Sequence, residues 1–205
     1  MSEHDTGMAR EPAAETPSPA ASFLRGQVLI AMPTMPDPRF ERSLVYLCEH
    51  NTEGALGLII NRTAEDLTLD DLFGRLEITI QAPGVAAESL RLGGPVEPGR
   101  GFVLHTADFT VPDASLRVDD EIALTGTLDV LHAIAEGRGP RQRFVALGYA
   151  GWGPGQLENE LKLNGWLACD ADETLLFDTD QDPKWESALG KLGITAAMLS
   201  GGGSA

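Results

Sequence analysis

Cysteine is nearly absent from the chain: Cys48 and Cys169 are the only two among 205 residues. A pair so far apart cannot make a disulfide framework or a Cys-rich zinc module. Basic residues are also scarce, 15 Lys and Arg against 31 Asp and Glu, for a formal net charge of -16. Binding nucleic acid without regard to sequence needs a basic surface that displaces counterions, and anionic lipid selects the same sign. Direct DNA binding and membrane docking are therefore not expected. Long apolar runs are missing as well. The longest, Gly54 to Ile60, is far short of the roughly 20 residues that span a bilayer. A signal peptide needs a basic start and an apolar stretch of roughly 7–15 residues. The opening MSEHDTGMAREPAAETPSPAAS has neither. The protein is accordingly expected in the cytoplasm, with both thiols reduced.

What is present suits one folded domain. The apolar fraction of 42% is that of an ordinary globular chain, and the length fits a single core. Residues 1–22, with Pro12, Pro17 and Pro19 among Ala and Ser, read as a flexible tail. Residues 23–200 read as one domain and 201–205 as a flexible C-terminus. The tail holds four acids and one base, so residues 23–205 still carry 27 acids and 14 bases. The acidity belongs to the domain.

Short apolar runs at Val28–Ala31, Leu44–Cys48 and Ala55–Ile60, bounded by Pro, Asn or Gly, predict buried strands. The prolines of MPTMPDPRF (32–40) force an exposed loop between the first two. Glu53-Gly54 predicts a hairpin turn between the second and third. Thr68 is placed to cap a helix with Leu69, Leu72, Phe73 and Leu76 on one face. Further strands are expected at Leu90–Leu92, Gly101–His105, Leu116–Val118, Ile122–Leu124, Arg143–Tyr149, Leu167–Cys169 and Leu175–Phe177. Thr127 opens a second helix that Gly137 stops, and Gln156–Leu163 forms a third, ended by Asn164-Gly165. Asp182-Pro183 opens a last one, with Trp185, Ala188, Leu189 and Leu192 at helical spacing. Strands bunched before the first helix, followed by an irregular mixture, indicate an α+β fold with a mixed, mostly antiparallel sheet.

Several patterns bear on chemistry. Asp178, Asp180 and Asp182 occupy the first positions of a calcium loop, but Pro183 and Leu189 stand where Gly and Glu are required. The stretch reads as a solvated turn, with Asp182 a helix cap. Gly148, Gly151, Gly153 and Gly155 match neither the dinucleotide fingerprint nor the phosphate-binding loop, and read as tight turns around Trp152. Cys48 and His50 share one face of a regular strand, with Glu49 on the other. That makes Cys48 a candidate reactive thiol, weighed against a simple buried cysteine. His105 and Asp108 are too few ligands to predict a metal site. Arg138, Arg141 and Arg143 form the one basic cluster, read as a solubilising loop. No cofactor fingerprint is present, and no cofactor is expected.

The blocks GQVLIAMPTMPDPRFERSLVYLCEHNTEGALGLIINR (26–62), LGGPVEPGRGFVLHT (92–106), VALGYAGWGPGQLENELKLNGWL (145–167) and LLFDTDQDPKWESALGKLGI (175–194) are similar to the YqgE/AlgH family of small bacterial proteins. The resemblance implies a compact α+β domain whose bent or bifurcated sheet approaches a pseudo-barrel. It implies no activity and no catalytic residues, only an association with transcriptional control of alginate synthesis. Members often end in Gly-His-Ala, whereas this chain ends Gly203-Ser204-Ala205. The expected function is regulation through protein partners, with any transcriptional role indirect. The alternative is a ligand-binding or catalytic site built from Asp37, Arg42, Glu49, His50, Asn51, His105 and Asn164. That alternative requires Asp37, His50 and His105 to converge on one pocket.

Overall fold

The computed structural model describes residues 23–178, 180–181 and 183–200. The chain runs β1 (Gln27–Ala31), β2 (Leu44–Asn51), β3 (Gly54–Ile59), β4 (Thr63–Thr68), α1 (Leu69–Arg75), β5 (Ser89–Leu92) and β6 (Val96–Thr106). It continues through β7 (Ser115–Arg117), β8 (Ile122–Thr125), α2 (Leu128–Ala135), β9 (Arg143–Trp152), α3 (Gln156–Lys162) and β10 (Trp166–Asp170). Three short helices close it: α4 (Glu173–Phe177), α5 (Lys184–Lys191) and α6 (Ala196–Ser200).

All ten strands join one curled sheet that forms a half-barrel, in the order β10-β1-β2-β3-β9-β6-β8-β7. The hairpin β4–β5 hangs on its side through β5. Every pairing is antiparallel except β5 with β9. Strand β9 is the branch point: its last residues pair with β3, its middle with β5, and its first part with β6. This is the predicted mixed α+β fold with a bifurcated sheet.

The apolar runs carry no polar alternation because both faces of the strands are covered. Val28 and Ile30 of β1, Leu44 and Tyr46 of β2, and Leu58 of β3 line the inside of the half-barrel, where α4 and α5 close over them. The alternate residues Leu29, Ala31, Val45 and Leu47 face outward against α3 and the 32–43 loop. A third cluster lies outside the other end of the sheet, where α1 and α2 cover Val103 and Val145. Each fully buried side chain such as Tyr46 or Phe73 contributes about 1.5–3 kcal/mol by leaving water.

The local signals act as predicted at several ends. Thr68 and Asp71 form a reciprocal capping box at the start of α1. Gly137 takes φ 75° after α2, and Asn164 φ 55° after α3, the left-handed turn that ends a helix. Thr127 precedes α2 but makes no capping hydrogen bond.

Four expectations are corrected. Leu175–Phe177 is helical, not a strand, because the Asp172 carboxylate accepts the Leu175 amide at 2.7 Å and nucleates a turn. Leu192 lies beyond α5 and is half-exposed. The proline loop holds a 3-10 turn over Pro38–Phe40, capped by Asp37. Strand β2 has a bulge: Leu47 pairs with Gly57 and Glu49 with Leu56, leaving Cys48 as the extra residue. The bulge breaks the two-residue alternation. Cys48 therefore packs inside the half-barrel, while His50 turns outward to α3. The cap assigned to Asp182 lies outside the described residues, as do the two terminal segments.

Candidate functional site

Glu160 is the hub of a polar cluster that ties β9, α3 and β10 together. Glycines in left-handed turns bracket its approach, with Gly155 at φ 72° releasing β9 into α3. Within α3, Gln156 reaches back to accept the Gly153 amide at 3.1 Å. One turn later Glu160 receives three N–H groups. Trp152 Nε1 and Trp166 Nε1 donate to the same carboxylate oxygen, at 2.9 and 2.7 Å. Gln156 Nε2 donates to the other oxygen at 2.9 Å. Trp152 ends β9 and Trp166 begins β10, so the carboxylate fastens the two sides of the helix connection. Charge-assisted bonds of this kind are the strong ones.

The aromatic rings assemble around that carboxylate. The Phe40 ring stacks on Trp152 at 6.5 Å and meets Trp166 edge-on at 5.5 Å. In front of them opens a groove of about 340 Å3, bordered by Met35, Pro36, Asp37, Val96, Trp152 and Leu163. At its edge Arg39 clamps Asp37 through Nη2–Oδ2 at 2.7 Å and Nε–Oδ1 at 3.0 Å. That hydrogen bonding holds the Asp37 carboxyl below the usual carboxylate range. Segments 34–40, 95–96, 151–160 and 163–165, all within the blocks that suggested a family, converge on this one groove.

The groove depends on close backbone contacts. Gly94 has φ 154° and Gly148 φ 71°. A Cβ on Gly94 would lie 2.1 Å from the Tyr149 carbonyl carbon, and one on Gly148 2.3 Å from the Gly94 oxygen. The glycine-rich stretch is therefore packing and turning, as read from the sequence.

The residues expected to form a polar site are divided. Asp37 borders the groove, but neither His50 nor His105 lines it. His50 is buried; its Nδ1 accepts the Leu24 amide at 2.9 Å, and Nε2 lies 3.2 Å from Glu158. A backbone amide, then this contact with His50, lowers the Glu158 pKa. Glu49 pairs with Arg25 at 3.8 Å, and Asn51 accepts the Glu53 amide in the hairpin turn. Arg42, at φ 52°, pairs with Glu186 and lies 4.4 Å over the Trp185 ring. Asn164 serves as the left-handed residue after α3. His105 is fully buried at the other end of the sheet, bonded to the Thr106 carbonyl at 2.9 Å and the Thr125 hydroxyl at 2.8 Å. Burial lowers its pKa. The required convergence of Asp37, His50 and His105 is thus not found: the first two flank α3, and the third sits beside Phe109 near α2.

Cys48 is fully buried, and that burial pushes its thiol far up. A reactive thiol needs exposure and a lowered pKa. The arginines of the basic cluster each carry an acidic neighbour: Arg138 pairs with Glu136, Arg141 with Glu173 and Arg143 with Glu88, the first two largely in solvent. Among the described residues no three His, Cys, Asp or Glu side chains gather as metal ligands. No described helix is long and apolar enough to cross a membrane. Glu160, Trp166 and Phe40 were not singled out from the sequence. The available signal was Trp152 and Trp166, just outside two predicted strands, with acidic residues in the helix between them.

The fold and this groove define a small α+β half-barrel protein. The chain belongs to the AlgH-like family, whose profile matches residues 28–197. It is 51% identical over 197 residues to a UPF0301 protein of Rhodopseudomonas palustris, covering 93% of this chain and 90% of that one. A UPF0301 protein of Caulobacter vibrioides is 56% identical over 181 residues, covering 87% and 91%. The solution structure of the AlgH protein from Pseudomonas aeruginosa superposes with a TM-score of 0.74 at 39% identity, covering 93% of this chain and 99% of that one. A protein from Corynebacterium diphtheriae shares the fold, with a TM-score of 0.64 at 20% identity over 81% of this chain and 85% of that one.

Proposed function

We propose that this chain is a cytoplasmic regulatory protein that acts by holding a partner protein in the groove before Trp152. The observation that carries this reading is an open aromatic groove with Leu163, 81% exposed, on its rim. Large apolar side chains left in water beside an aromatic floor are the usual anchor of a peptide segment. A groove of about 340 Å3 takes a few side chains, at the small end of the usual range for binding pockets. The partner segment is an extended one bearing Lys or Arg, matching the net charge of -16. An acidic protein of this kind influences transcription through its partner and not by gripping DNA.

Photo-reactive side chains placed at Met35, at Leu163, and at Asp120 on the β7–β8 turn test the reading in the native cell. The first two positions are expected to capture one common protein that Asp120 does not, and Phe40→Ala is expected to abolish that adduct. Capture of the same set from all three positions, or none from the groove, overturns it.

A further inference from the structure

Three of the chain's 15 basic residues, Arg91, Arg141 and Arg143, line a second cavity of about 540 Å3. It lies between residues 84–91, the start of β9 and the end of α4, away from the aromatic groove. Arg91 is 4% exposed. Its Nη1 donates to the carbonyls of Ile60 and Leu176, both at 2.8 Å, and its Nη2 to that of Asp178 at 3.1 Å. The guanidinium rests 3.9 Å over the Phe144 ring. These contacts fix the side chain but bring no opposite formal charge. The ion pairs at this cavity are those of Arg141 with Glu173 and Arg143 with Glu88. Asp178 acts on Arg91 only through space.

Donors remain unused. The Arg91 Nε and one Nη2 proton have no acceptor among the described residues. The Arg143 Nε is buried without a partner, although Nη1 and Nη2 of the same group are bonded. Behind Arg91 stands a second buried cation. Lys184, 3% exposed, donates to the same Leu176 carbonyl that Arg91 uses. Buried cations are costly and two side by side repel, a cost that the nearby charges of Asp178 and Asp180 offset only in part. A bound anion relieves both. Guanidinium groups with free N–H bonds match phosphate geometry. The volume leaves room for an organic group beyond the phosphate.

The geometry points to a binding site for a small phosphate monoester, with Arg91 and Arg143 holding the phosphate. Ser89, Gln142 and Phe177 line the space for the remainder of the ligand.

Calorimetric titration of the full chain with ribose 5-phosphate, inorganic phosphate and acetate tests this. Ribose 5-phosphate is expected to bind saturably and at least tenfold more tightly than acetate. Arg91→Gln is expected to weaken it by tenfold or more. Because that change also removes contacts to three carbonyls, Ser89→Asp is the cleaner variant: Ser89 is exposed, and the new carboxylate repels the phosphate without disturbing the core. A tenfold loss in Ser89→Asp, with unchanged circular dichroism, supports the site. No saturable binding to wild type, full affinity in Ser89→Asp, or binding of inorganic phosphate alone overturns it. Phe40→Ala leaves this affinity unchanged, so the result stands apart from the proposed partner groove.

Discussion

The indole N–H groups of Trp152 and Trp166 converge on a single carboxylate oxygen of Glu160. Both indoles are buried, at 6% and 2% exposure, and neither has another acceptor among the described residues. Glu160→Ala leaves two donors orphaned and is expected to destabilise the fold by about 2–4 kcal/mol, since a buried unsatisfied donor costs about 1–3 kcal/mol. Glu160→Gln keeps an acceptor and loses about 1 kcal/mol. Urea unfolding reads both. A loss below about 0.5 kcal/mol in the alanine variant contradicts the assignment of Glu160 as hub.

The approach of Gly94 to Gly148 leaves no space for a methyl group. Gly148→Ala meets the Gly94 carbonyl and adds a strained positive φ, so a destabilisation of about 3 kcal/mol or more is expected. Gly74→Ala is the control, because nothing lies within 4 Å of its added Cβ. Thermal melts of the two variants should separate clearly; equal melting points would refute the close packing.

Lys184 gives the stability a pH dependence of definite sign. Burial, then the neighbouring Arg91, pushes it down from 10.5 to about 7. Between those values the unfolded chain holds a proton that the folded one lacks, so stability rises with pH from about 7 upward. Above 9.0 the trend is opposed, because burial raises Cys48 and Tyr46 in the folded state and only the unfolded chain ionises readily. Lys184→Met removes a buried amine that must shed its proton to fold, and is expected to add about 1–3 kcal/mol at pH 7.5 and to flatten the rise toward pH 9. Denaturant titrations at pH 7.5 and 9 check this; an unchanged slope in the variant rules Lys184 out as its source.

Cys48 is expected to resist thiol reagents in the native protein, given its full burial and raised thiol. Its labelling rate should follow global unfolding and accelerate in denaturant. Fast native labelling of Cys169→Ala, which leaves Cys48 as the one thiol, would restore the reactive-thiol reading.

Much of the architecture was legible where one local signal dominates. The Thr68 cap, the Glu53-Gly54 hairpin and the apolar runs of β1 to β3 each require few distant partners. Other features depend on contacts that no local pattern encodes. Strand β4 is too polar to show an apolar run, and Pro98 and two glycines disguise the first half of β6. Leu175–Phe177 is apolar under either periodicity, and only Asp172 decides for a helix. The bulge at Cys48 reverses which side of the sheet His50 occupies, which removed the expected Cys–His face. Asp37 was correctly assigned to a loop, but its pocket is completed by Trp152 at the end of β9 and Leu163 at the end of α3, brought from two other elements. Arg91 looked like an ordinary strand residue; its burial arises from carbonyls supplied by residues 60, 176 and 178.

The pairing of β1 with β10 sets a timing problem during synthesis. Gln27 pairs with Asp170, so the outer edge of β1 waits about 140 residues for its neighbour, or roughly 7–30 s at ribosomal speeds. During that interval β1, β2 and β3 form a three-stranded sheet whose apolar open edge has nothing to cover it. A nascent chain cut short before Trp166 would leave the ribosome as an aggregating fragment instead of a smaller version of the domain.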